Sequence, residues 1–136
     1  MPEARFVVDV AGGVPVVTTP DEIDITNALG LRTALLDAAA HGRGPVVVDM
    51  SGTRFCDSAG LHVLIRAHKQ AQAEGDGVLV VISATAVLRI FAISGLDRVI
   101  PNFSTLDEAL AEASATRRAN SSSAPASPAP DPIPSP

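Results

Sequence analysis

The sequence predicts an α/β fold of one domain: a small mixed β-sheet of about four to five strands packed with about four α-helices. Three observations carry this. Two short β-branched runs, Val46–Val48 and Val78–Ile82, are too short for helices and read as buried strands. Between them the apolar period changes, with Leu61, Leu64, Ile65 and His68 three or four residues apart on one side of a helix. And near the start, Gly12-Gly13 joins two further β-branched runs in the way a tight hairpin requires.

In chain order, Phe6–Val10 and Val14–Thr18 are the hairpin strands, with the paired glycines supplying positive φ at the turn. A polar loop, Thr19 to Ile25, leads to Thr26, the expected N-cap of a first helix through Ala40 with Leu31, Leu35 and Ala39 inward. Gly42 stops it. The Pro45–Asp49 strand, a Ser58–Ala73 helix and the Val78–Ile82 strand follow, and strand-helix-strand in succession predicts parallel pairing. The cluster Glu74-Gly75-Asp76-Gly77 is the turn between that helix and the next strand. A third helix, Thr85–Ile93, turns Leu88, Phe91 and Val87 inward and ends at Gly95. Val99-Ile100 reads as a brief edge strand before Pro101. Thr105 and Glu108 match a capping box for a last helix from Leu106 to about Ala113.

The domain is expected over residues 1–114, and a disordered Pro/Ser/Ala-rich tail over 115–136. Residues 119–136 alone hold six of the 11 prolines and have almost no bulky apolar group, too little burial to offset ordering entropy.

Composition narrows the function. Apolar residues are 46% of the chain, but only four are aromatic, so the core is aliphatic. The formal net charge is −5 and Lys69 is the single lysine, leaving no basic stripe for a nucleic-acid backbone. Cys56 is the only cysteine, which excludes an internal disulfide framework and a cysteine-rich zinc site; as a lone residue it reads as a small buried hydrophobe. The opening MPEARFVVDV has no signal-peptide pattern and no apolar run reaches spanning length, so a cytoplasmic protein without membrane contact is expected. No metal-ligand spacing, Walker loop or dinucleotide fingerprint appears, so neither metal nor cofactor is expected.

Ser58 lies where a strand, a loop and a helix meet. There the first helical N–H groups lack partners, and a serine can cap the helix while showing its hydroxyl to solvent. On spacing alone Ser58 is a structural cap and Asp57 a solvated turn residue. Use of Ser58 as a nucleophile would need a positioned base. None of His41, His62 and His68 is placed by the sequence to serve, so no catalytic residue is assigned and the chain is not read as an enzyme.

The Val46–Leu64 segment, with Asp57-Ser58-Ala59-Gly60-Leu61, resembles the STAS domains of bacterial anti-sigma factor antagonists. The likeness runs from about Phe6 to Ala113, and includes the Pro20-to-Ala28 passage and the Val78–Ile82 strand. It implies a STAS fold in which the signature serine, here Ser58, is phosphorylated by an anti-sigma factor that is also a serine kinase. The unmodified antagonist binds that partner and frees the sigma factor, and a PP2C-type phosphatase restores the active form. It also implies an acid of the first loop, here Asp24, near the acceptor, and a partner-binding set of Asp24, Asp57, Ser58, Ala59, Gly60 and Leu61. Where many relatives carry Ser or Thr after the acceptor, this chain has Ala59. The alternative within the family is a sensor or scaffold module that binds a nucleotide or other small ligand without a phospho-switch.

Overall fold

The computed structural model describes residues 5–41 and 44–126. A five-stranded mixed sheet is flanked on both faces by helices. Its strands are β1 (Val7–Ala11), β2 (Val14–Thr18), β4 (Val46–Met50), β6 (Val78–Ile82) and β7 (Asn102–Phe103), in the spatial order β1-β2-β4-β6-β7. Only β1 and β2 pair antiparallel; every other neighbour is parallel. The β1–β2 turn is Gly12-Gly13, with φ of 58° and 84°, the pair of positive values that matches the twist of a two-residue hairpin. A separate two-stranded parallel sheet joins β3 (Glu22–Ile23) to β5 (Phe55–Cys56).

The helices are α1 (Ala28–Ala40), α2 (Ser58–Ala73), α3 (Thr85–Ser94) and α4 (Leu106–Ala126). Because side chains alternate along a strand, the sheet has two apolar faces. Val46, Val48 and Met50 of β4, with Val78, Val80 and Ile82 of β6, pack with α1, α2 and α3 into the larger core, which includes Leu31, Leu64, Val87 and Phe91. Val47, Leu79 and Val81 point the other way and meet Ala109 and Ala113 of α4, together with Val14 and Val16. A central strand buried on both sides is the reason its sequence is a continuous apolar run without alternation.

Several expectations are corrected. Asn27 rather than Thr26 is the residue before α1, because Thr26 is held by the carboxylate of Asp24, and Ala38 rather than Ala39 is buried. In α3, Val87 and Phe91 face inward while Leu88 is exposed: the buried pair is four apart, and the helix turns Leu88 away from it. The expected edge strand at Val99-Ile100 is a 3-10 turn over Leu96–Arg98 with Ile100 buried behind it. The ladder starts one residue later, where the Pro101 carbonyl accepts the Val80 N–H at 3.0 Å. α4 runs well past Ala113, into the stretch read as tail. Arg117 lies against Gly13 and Gly44, where any Cβ would collide with its side chain, so the helix has a docking point beyond the apolar pair. Residues 127–136 of the expected tail lie outside the described residues, as does Gly42.

Candidate functional site

The β3–β5 pair brings two distant loops together. Ile23 lies opposite Cys56, and the Asp57 N–H donates to the Ile23 carbonyl at 3.1 Å, so Asp24 and Asp57 leave neighbouring strand ends side by side. A buried hydroxyl network fixes the same junction. Thr53, fully buried, donates to the Pro20 carbonyl at 2.6 Å and meets the hydroxyl of Thr19, which also reaches the Asp49 carbonyl at 3.3 Å. Neither threonine stands out in the sequence, since two short polar loops show no period.

The start of α2 is capped by Asp57, not by Ser58. The carboxylate accepts from the Ala59 N–H at 2.9 Å and, more weakly, from the Gly60 N–H at 3.4 Å. A carboxylate in that position takes two orphan donors and meets the positive end of the helix dipole. Ser58 is thereby released from capping. It is the first residue of the helix, it is exposed, and among the described residues no hydrogen bond holds its Oγ. Ala59 is half-buried beside it.

Gly60 and Leu61 lie underneath. Gly60 is buried, and a Cβ on it would sit 2.7 Å from both the Cys56 Sγ and the Ile23 Cγ2. Only glycine lets the first turn of α2 rest on the β3–β5 pair. Leu61 is 7% exposed and belongs to the larger core. Of the six residues singled out by the sequence, Asp57, Ser58 and Ala59 meet at the helix start with Asp24 on the adjoining loop, while Gly60 and Leu61 support them from below.

Asp24 is held by its own loop. Its carboxylate accepts from the hydroxyl and the N–H of Thr26, and these bonds, the hydroxyl first, hold its carboxyl below the usual range. Its N–H donates to Asn27 at 2.9 Å, and Asn27 in turn donates to the Glu22 carbonyl at 2.9 Å. The acid is a fixed negative charge. Two exposed apolar side chains flank the same strand pair: Ile25, two residues past the end of β3, is 78% exposed, and Phe55, the first residue of β5, is 49% exposed. Sequence reasoning passed over both, because a two-residue strand has no period to mark an outward face.

Burial, and then the neighbouring Asp57 charge, push the Cys56 thiol up to about 12, so it is a protonated core group. His68 is buried with its Nδ1 accepting from the Val78 N–H at 3.0 Å, and burial lowers its pKa. His41 is tied to the Asp37 carbonyl at the end of α1, and His62 is exposed. Among the described residues no three His, Cys, Asp or Glu side chains group as metal ligands, and no helix is long and apolar enough to cross a membrane.

A mixed sheet with this order, carrying a capped helix start with a bare serine, defines the class, and the family comparison agrees: the STAS domain matches residues 5–109, so the chain belongs to the STAS domain family. Several of the proteins it is similar to are named anti-sigma factor antagonists. The anti-sigma-F factor antagonist RsfB of Mycobacterium tuberculosis is 34% identical over 99 residues, 72% of this chain and 80% of RsfB. The crystal structure of an anti-sigma factor antagonist from Mycobacterium paratuberculosis superposes with a TM-score of 0.75 at 32% identity, covering 82% of this chain and 94% of that one. SpoIIAA, an anti-sigma factor antagonist solved in its unphosphorylated form, shares the fold at a TM-score of 0.65 and 19% identity, covering 77% of this chain and 92% of that one.

Proposed function

We propose that the chain is an anti-sigma factor antagonist whose docking is switched by phosphorylation of Ser58. The observation that carries this reading is the division of labour at the start of α2: Asp57 does the capping, and the Ser58 hydroxyl is left exposed, with no structural duty. Ile25 and Phe55 supply apolar contact area, and Asp24 and Asp57 supply fixed charge, so the surface suits a protein partner. The names of the relatives support an anti-sigma factor as that partner. The family resemblance adds that this partner is also the serine kinase, and that a PP2C-type phosphatase resets the switch. In this reading the chain is a kinase substrate and binding protein, not an enzyme.

A phosphate would add about −1.5 to −2 charges at the first turn. The helix dipole favours an anion there by about 0.3–1 kcal/mol, but the Asp57 carboxylate already holds the Ala59 and Gly60 N–H groups. Attraction and repulsion largely offset one another, and the domain stays folded. The partner bears the effect. A mismatched buried charge at an interface costs about 2–5 kcal/mol, which at about 1.4 kcal/mol per decade is roughly 30-fold to several thousandfold in affinity.

The test is incubation of the purified chain with ATP and each kinase-type anti-sigma factor of the same genome, read by intact-mass and peptide mass spectrometry. One phosphate on Ser58, and none on Ser58→Ala, is the expected result. Phosphate elsewhere, or none with any such partner, overturns the phospho-switch. A rise in melting temperature with nucleotide alone would favour the sensor module instead.

A further inference from the structure

A groove with a cavity volume of about 180 Å³ lies between α1 and α2, at the other end of α2 from Ser58. Its walls follow from helical spacing. Val63, Arg66, Ala67, Gln70, Ala71 and Glu74 recur at three- and four-residue steps along α2, facing Arg32, Leu35, Leu36 and Ala39 of α1. Its floor is Val46 and Val78, the first residues of β4 and β6.

The groove is polarised. α1 and α2 lead into β4 and β6, adjacent parallel strands, so the two helices run in the same direction. Arg32 and Arg66 therefore sit at one end. Glu74, eight residues beyond Arg66, sits at the other, about 12 Å away at ~1.5 Å per residue. Among the described residues neither arginine has a carboxylate within salt-bridge distance; the single basic side chain that does is His41, 3.9 Å from the Asp37 carboxylate. Two guanidiniums beside an apolar trough match a carboxylate on an apolar body, and Glu74 disfavours a second negative charge at the far end. Aliphatic cavities of ~150 Å³ accept a ring the size of benzene, so the space suits a short chain or a single ring.

We propose that the α1–α2 groove is a binding site for a small monocarboxylate with an unbranched aliphatic or single-ring body, its carboxylate on Arg32 and Arg66 and its apolar part over Val46 and Val78. The site is separate from the Ser58 surface and does not depend on the reading of that surface.

The probe is octanoate, titrated into the full chain by calorimetry and by backbone amide NMR, with octanol and octylammonium as matched controls. Octanoate is expected to shift residues of α1 and of the second half of α2, and to bind at least tenfold more tightly than octanol, with octylammonium the weakest. In Arg32→Gln/Arg66→Gln, octanoate affinity should fall to that of octanol. Both arginines are exposed, so this variant is expected to keep its fold. Ser58→Ala should bind octanoate as the wild type does, which separates this site from the switch. Octanoate binding no tighter than octanol, unchanged affinity in the double variant, or no binding at millimolar octanoate would overturn the proposal.

Discussion

Replacing Gly60 by alanine tests how the site is built. The added Cβ would stand 2.7 Å from the Cys56 Sγ and 2.7 Å from the Ile23 Cγ2, about 1 Å inside the usual carbon contact distance of ~3.5–4.0 Å. Neither neighbour is a flexible tip: Ile23 is 0% and Cys56 2% exposed, and they face each other across the β3–β5 pair. Overpacking of this kind costs about 1–3 kcal/mol, and the better helix propensity of alanine returns at most about 1 kcal/mol. The net loss falls within about 0–3 kcal/mol and is centred on about 1–2 kcal/mol, a melting temperature lowered by roughly 4–8 °C at this chain length. Calorimetry of the full chain measures it directly. Removing the sulfur relieves one of the two contacts, so Cys56→Ala should be less costly in the Gly60→Ala background than in the wild type. A Gly60→Ala protein as stable as the wild type, with no coupling to Cys56→Ala, would refute the claim that glycine is required for α2 to rest on the β3–β5 pair.

Asp57→Ala removes the cap of α2 and should cost about 0.5–2 kcal/mol by urea denaturation, with Asp57→Asn losing less because its side-chain oxygen still accepts the same N–H groups. His68 is neutral in the fold and titrates below its ordinary value of 6.5, because burial disfavours the cation and its Nδ1 is engaged by Val78. The unfolded chain therefore binds the proton first, so stability is full above about pH 6.5 and declines as the pH falls below it; urea midpoints at pH 7.5 and 5.5 should show that decline, and His68→Gln should flatten it. Cys56, protonated and buried, should resist a thiol reagent at pH 8 in the native protein and react once denatured, measured by the rate of modification.

The long elements are legible in the sequence because each has a period or a punctuation mark. The apolar runs give β4 and β6, Gly12-Gly13 gives the hairpin, and Gly95, with φ of 81°, ends α3 as the left-handed cap that glycine adopts most readily. The two-residue strands β3 and β5 are not legible, since two residues have no period, yet they set Asp24 beside Asp57. The register of the caps is also hidden. Asp57-Ser58 offers two good capping residues in a row, and only the backbone decides that the aspartate caps and the serine projects. Asp57 and Ser58 are nameable from their motif, and Asp24 only through the family resemblance of its loop; Ile25, Phe55 and the Thr19–Thr53 pair emerge only when the loops are brought together.

The most direct measurement compares the protein singly phosphorylated on Ser58 with the unmodified protein, recording anti-sigma factor affinity and melting temperature on the same samples. Affinity is predicted to fall at least roughly 30-fold while the melting temperature moves by less than about 4 °C. Affinity that is unchanged, or that falls only in step with unfolding, would contradict an electrostatic switch at the start of α2.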